Sequence, residues 1–234
     1  RGERREREAR LTLAAARRNR FTIDWAALPT PRPSFLGVRA LLDHPLGDLV
    51  GRIDWTPFFA TWELKGHFPE ILDDPRLGAS ARDLYADAGA MLRRVVDERL
   101  LQASAVVGFW PAASTPDDDI ELYSTDARDE VIGVFRTLRQ QMAKPPGRPN
   151  LALSDFVAPR DSGAGDYVGA FAVTAGLGTG DAVRRFEAVH DDYGAIMIKA
   201  LADRLAEAFA ERLHELVRRE LWGYAPDEAL SNDS

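Results

Sequence analysis

The feature that most constrains the fold lies towards the C-terminus. From Asp181 to about Leu221 apolar residues recur at helical spacing: Phe186, Val189, Ile196, Met197, Ala200, Leu201, Leu205, Phe209, Leu213 and Val217. Steps of three and four place them along one side of a 3.6-residue helix, so a long helix must bury that side against other elements. Gly194 is the expected point at which it breaks in two.

The other segments say what those elements are. "DPRLGASARDLYADAGAMLRRVVDERLL" places Leu84, Ala88, Met91, Leu92, Val95 and Val96 at helical spacing, with Ser80 as candidate N-cap. "TDARDEVIGVFRTLRQQM" reads as a further amphipathic helix, opened by Thr125 or Asp126 and packed through Val131, Phe135 and Leu138. "SAVVGFWPA" and "DDDIELYST" read as two strands joined by a polar Pro-Asp turn, and "LALSDFVAP" and "DYVGAFAVTAG" as two more apolar segments. Prolines at 29, 31 and 33 force "AALPTPRPSFLG" into an extended connector. Helix, two strands, helix, two strands, long helix predicts α+β with an antiparallel sheet rather than a βαβ alternation.

Composition narrows the function. At 234 residues, 45% hydrophobic and 29% charged, the chain is globular and long enough to bury a sizeable core. No apolar run approaches the roughly 18 residues of a spanning helix, which excludes a membrane span of that kind. A net charge of -7 argues against general nucleic-acid binding. Residues 1–20 are the local exception, with eight Arg against three Glu; without interleaved aromatics they read as a solvated or linker helix rather than a nucleic-acid arm. They also lack the apolar core of a signal peptide. The absence of cysteine removes disulfides, thiol catalysis and Cys-based zinc sites, and points to the cytoplasm. His44, His67, His190 and His214 show no ligand spacing, so no protein-held metal and no metal-site residue is expected. The chain begins without Met and reads as a fragment or processed product.

Three motifs could carry chemistry. "VGAFAVTAGLGTGDAVRRF" runs a predicted strand into Gly176-x-Gly178-x-Gly180 and then a helix, as in nucleotide-binding and Rossmann methyltransferase loops. Position 181 is Asp where the dinucleotide form needs its last glycine, and only 54 residues follow Gly180. The alternative is a glycine-rich turn with Asp181 as N-cap. In "IDWTPFFATW", Trp55, Phe58, Phe59 and Trp62 crowd around Asp54. A carboxylate there can hold an amine or sulfonium beside aromatic faces, or it can simply cap the turn at Thr56 and beyond while the aromatics form core. The other Ile-Asp-Trp, at Asp24, lacks the aromatics and reads as a turn. On the last helix Asp203, Glu207 and Glu211 stand four apart beside a stripe of Ala202, Ala206 and Ala210, either a solvated face or a row approached by a ligand or another domain.

Ordered blocks then add to this reading. "RIDWTPFFATWELKGHFPEIL", "GFWPA", "DDIELY", "FRTLRQQ", "LSDFVAP", "DYVGAFAVT", "HDDYGAIMIKALADRLAEAFAERLHE" and "VRRELWGYAPDEAL" together resemble the C-terminal activation domain of cobalamin-dependent methionine synthase, over about residues 20–234. The resemblance implies a single curved α+β domain with a twisted antiparallel sheet flanked by helices. It also implies an S-adenosylmethionine-binding module that supports reductive remethylation of cob(II)alamin in an enzyme carrying methyl groups from methyltetrahydrofolate to homocysteine. The independent alternative is a Rossmann-type methyltransferase using the glycine loop at 176–180.

Carried across block by block, the resemblance makes Asp54 and Glu207 the S-adenosylmethionine contacts, with no catalytic acid, base or nucleophile. Asp203, one turn before Glu207, matches no family contact and is read from its position alone as a contact to the docked cobalamin-binding domain. Residues 1–20 become the linker helix from that domain, and 21–234 the activation domain. Implied partners are that domain of the same polypeptide, which holds the cobalamin, and a flavodoxin-type electron donor; zinc belongs only to the homocysteine domain of such an enzyme. The family continues into a "RPAPGYP" segment that adds an arginine, backbone groups and a tyrosine to the ligand site. This chain ends at Ser234, before it, so a complete active site is not expected in the fragment. Ala152 stands where the family often has Cys, a change expected to be neutral packing.

Overall fold

The computed structural model of the chain describes residues 10–229. The first part of the Arg-rich start, with Arg1, Arg4, Arg5 and Arg7, lies outside them. In chain order the elements are α1 (Leu13–Arg18), β1 (Gly37–His44), α2 (Gly47–Val50), α3 (Trp55–Thr61), α4 (Gly78–Asp97), β2 (Gln102–Ser114), β3 (Asp119–Tyr123), β4 (Val131–Arg136), β5 (Asp166–Leu177), α5 (Thr179–Glu187) and α6 (Asp192–Leu216). The strands form a five-stranded sheet in the order β1-β2-β3-β4, with β5 also on β2. The α+β class with antiparallel pairing is therefore the observed one.

Two compact units divide the chain. The first comprises 10–38, 108–170 and 222–224, and the second 39–107, 171–221 and 225–229. In the first, β3 pairs antiparallel with the end of β2 (Ala112↔Leu122, Ser114↔Ile120) and with β4 (Ile120↔Phe135, Leu122↔Gly133). Residues 125–142 are thus not the predicted helix. Val131, Phe135 and Leu138 do fall at steps of four and three, but β-branched Val131, Ile132 and Val134 and the helix-weakening Gly133 suit a strand once β3 offers a partner. Residues 151–159 form no strand; a short 3-10 turn, Leu153–Phe156, stands there, and Ala152 is buried. Within the described part of the start, α1 is fastened down. Arg17 pairs with Asp118 at 2.8 Å, and Leu11 N–H donates to Gln141 O at 2.7 Å.

The second unit holds the larger core. α4 buries Ala81, Leu84, Ala88, Met91, Leu92 and Val95, as its spacing predicts. Its start is fixed by the Asp74 carboxylate, which accepts from Arg76 and Leu77 N–H at 2.8 and 2.9 Å; Ser80 lies inside the helix and is not the cap. α6 buries Met197, Ile198, Leu201, Leu205, Phe209 and Leu213, whereas Val189 and Ile196, expected on the same buried side, are exposed. The break before it falls at 188–191, where Asp191 caps α6 by accepting Gly194 N–H at 2.8 Å. Gly194 sits in the first turn instead, where a Cβ would lie 2.6 Å from Asp191 Oδ2 and 2.7 Å from the Phe186 ring.

Candidate functional site

Asp54 ends the short loop that follows α2. Ile53 is buried beneath it, while Asp54 is exposed with extended backbone (φ -72°, ψ 111°) and caps α3. Its Oδ1 accepts from Thr56 N–H at 2.9 Å, and Oδ2 has no partner among the described residues. Pro57 falls in the first turn of α3, where a missing N–H breaks no helical bond. The capping role read from sequence is therefore present, and it leaves one carboxylate oxygen open.

The aromatics behind Asp54 are core. Phe58 and Phe59 are fully buried, and Trp55 packs edge-on to Phe58 and Tyr85 at 5.3 and 4.7 Å between centroids. Trp62 lies against Tyr193 at 5.0 Å. Trp55, Phe68 and Tyr85, with Leu92 and Val96, also line a groove of about 930 Å³. Asp54 is not in its walls, so the picture of a carboxylate ringed by open aromatic faces gives way to a cap seated on core.

Glu207 and Asp203 are both exposed on α6. Arg204 stands between them, pairing with Asp203 at 2.6 Å and with Glu207. The neighbouring alanines are not an open stripe: Ala202 is in the core and Ala206 packs against it. α3 and α6 are in contact, so the elements bearing Asp54 and Glu207 are packed together.

The glycine loop has a steric purpose. Gly178 joins β5 to α5 in the left-handed region (φ +97°), and a Cβ there would meet the Leu100 carbonyl oxygen at 2.7 Å. Gly178 is also the N-cap of α5, while Asp181 lies in its first turn and pairs with Arg184; the predicted Asp181 cap is corrected. Among the described residues no strand follows α5, so the second strand that a Rossmann-type site requires is missing. Asp24 takes Ala26 N–H at 3.2 Å, the turn role expected of it.

One constellation escaped the sequence. In the first unit the Arg139 guanidinium, 1% exposed, donates to both oxygens of Asp155 (2.8 and 2.6 Å), to Asp118 (3.0 and 2.5 Å) and to Asn150 O (2.6 Å). Burial alone would raise the Asp118 carboxyl, but hydrogen bonds from Arg139 and Arg17 hold it below its ordinary 3.8. A cleft of about 650 Å³ opens beside this cluster, walled by Phe21, Trp25, Thr115 and Arg160. Arg139 belongs to "FRTLRQQ" and Asp155 to "LSDFVAP", so two blocks that looked separate in sequence meet as a bidentate ion pair. Only the position of Asp155, three after Ala152 whose N–H it accepts at 3.0 Å, hinted at a structural carboxylate.

Among the described residues no three His, Asp or Glu side chains cluster as a metal site, and no helix is long and apolar enough to cross a membrane. A known structure, the crystal structure of the MetH reactivation domain bound to AdoHcy, superimposes with a TM-score of 0.90 at 51% identity, covering 96% of this chain and 68% of that one. The model of the vitamin B12 dependent methionine synthase activation domain matches residues 45–234, the stretch that carries α2 to α6, Asp54 and Glu207. With most of the chain matched and its fold shared, this protein belongs to the family of vitamin B12 dependent methionine synthase activation domains.

Proposed function

We propose that this chain binds S-adenosylmethionine, with Asp54 and Glu207 as its acidic contacts, and thereby supports reductive remethylation of cob(II)alamin in a methionine synthase. The observation that carries this reading is the 51% identity, over 96% of the chain, to a reactivation domain bound to AdoHcy. The open Oδ2 of Asp54 and the exposed carboxylate of Glu207 suit a ligand that carries an ammonium and a sulfonium. The methyl group arrives activated on sulfur, so these residues bind and orient and need not abstract a proton.

In the same reading residues 1–20 lead from a cobalamin-binding domain of the same polypeptide, and 21–234 form the activation module. Asp203 faces that domain, an electron comes from a flavodoxin-type donor, and the enzyme works in the cytoplasm. Calorimetry with S-adenosylmethionine and S-adenosylhomocysteine, on the chain extended through the family's "RPAPGYP" segment, tests the site. Wild type binds both, and Asp54→Asn weakens binding by about tenfold or more, as expected for one lost charge-assisted hydrogen bond; Glu207→Gln acts in the same direction. A flat wild-type titration, or unchanged affinity in Asp54→Asn, would sink the assignment.

A further inference from the structure

Two turns beyond Glu207 on α6, Glu215 gathers three arginines from three segments. Its Oε2 pairs with Arg52 Nη2 at 2.8 Å and accepts from Arg212 Nη1 at 2.9 Å, while Oε1 accepts from Arg219 Nη1 at 3.0 Å. Arg212 lies on α6 itself, Arg219 in the π turn Val217–Leu221 that ends it, and Arg52 in the loop two residues before Asp54. The carboxylate is 21% exposed and the Arg52 side chain 28%, so solvent screens this contact less than a surface pair.

The location gives the cluster its meaning. Asp203, Glu207, Glu211 and Glu215 follow one another at steps of four, and eight residues of helix separate Glu207 from Glu215 by about 12 Å. Arg52 therefore ties the Asp54 loop to the far end of the same acidic row. Ile53, buried in the core, holds that loop from below. Asp54 uses Oδ1 to cap α3, so the direction of its remaining oxygen follows from where the loop sits.

We propose that Glu215 is a positioning residue for the ligand site: through Arg52 it fixes the Asp54 loop on α6 and so sets the place of the Asp54 carboxylate relative to Glu207. The role rests on Asp54 being a ligand contact, and it adds a third carboxylate that touches no ligand. A residue that only stabilises the fold would lower the melting temperature and leave affinity alone well below the transition. A positioning residue must also be thermodynamically coupled to Asp54.

The test is calorimetry with S-adenosylhomocysteine on the same extended chain as wild type, Asp54→Asn, Glu215→Gln, Arg52→Gln and the doubles Asp54→Asn/Glu215→Gln and Arg52→Gln/Glu215→Gln, each also melted. Glu215→Gln is expected to weaken binding about fivefold, the upper end for a partly exposed pair, and Arg52→Gln to match it. Combining those two changes should add nothing further, and neither should Glu215→Gln added to Asp54→Asn. Arg52→Gln leaves Glu215 with Arg212 and Arg219, so it reads the effect even if Glu215→Gln folds poorly. Full affinity in Arg52→Gln and Glu215→Gln while Asp54→Asn binds weakly would overturn the positioning role and leave the Asp54 reading intact. An unchanged Asp54→Asn would bring down that reading and this one with it, and losses that simply add would show Glu215 acting independently of Asp54.

Discussion

Arg139 is buried with its donors turned towards two carboxylates and a carbonyl, and the second carboxylate charge is answered by Arg17 on Asp118. Such a cluster is satisfied as a set, so removing one member leaves a charge without its partner in a low-dielectric setting. Asp155→Ala is expected to lower the unfolding free energy by about 3 kcal/mol, measured by urea titration followed by circular dichroism. Arg160, 65% exposed in its pair with Glu121, provides the contrast. Arg160→Ala should change stability by no more than about 0.5 kcal/mol in the same titration. Equal losses from the two changes would mean that Arg139 is solvated rather than enclosed. Neither outcome could be forecast from spacing, because Arg139, Asp118 and Asp155 lie on separate segments that only the fold brings together.

At the scale of elements, the join between β5 and α5 holds one glycine that sterics require and one that they do not. Gly178 has φ +97° and no room for a Cβ against the Leu100 carbonyl, so Gly178→Ala should cost about 1–3 kcal/mol. Gly180 would place its Cβ 3.5 Å from the end of the Arg184 side chain, an ordinary contact within α5, so Gly180→Ala should be neutral or stabilise by up to about 1 kcal/mol. Thermal melts read both effects, and S-adenosylmethionine affinity measured well below the transitions should be the same in each. A loss of affinity in both would restore the loop as a ligand cradle. The elements legible in the sequence were those whose own periodicity decides them: α4 and α6 each bury one stripe. β1 carried no such signal because most of its residues are exposed on both faces, and β4 was misread because its partner β3 outweighs local spacing. Of the proposed site, Asp54 was legible as a cap and by likeness to the family. Arg52 and Glu215 were not, since they meet across 163 positions.

Across the whole molecule, titrating groups with shifted affinities are spread over both units, and their signs predict the shape of the pH profile. Burial pushes His44 below its ordinary 6.5, with Arg212 adding to the shift and Asp48 opposing it. A neutral His44, stacked on Phe209 at 4.6 Å, therefore contributes stability present above pH 6.5 and lost as the pH falls through its folded value. The carboxylates follow at lower pH. Backbone N–H groups of Leu77 and Arg76 hold Asp74 below 3.8. Asp118, Asp126 and Glu215 are each raised by burial but lowered more by their hydrogen-bonding and charged partners. Their contribution is complete above the ordinary carboxylate values, 3.8 and 4.5, and disappears below them. The basic side has its own limb: burial and the hydrogen bond to Asp87 push Tyr193 up to about 12 from 10.0, so stability present below pH 10 fades as the pH rises through about 12. Melting temperatures taken from pH 8 down to pH 3 should fall in two steps, a shallow one beginning near 6.5 and a steep one below about 4.5. His44→Gln cannot gain the proton and should lack the shallow step while keeping the steep one. Parallel profiles for wild type and His44→Gln down to pH 5 would show that burial does not keep His44 neutral.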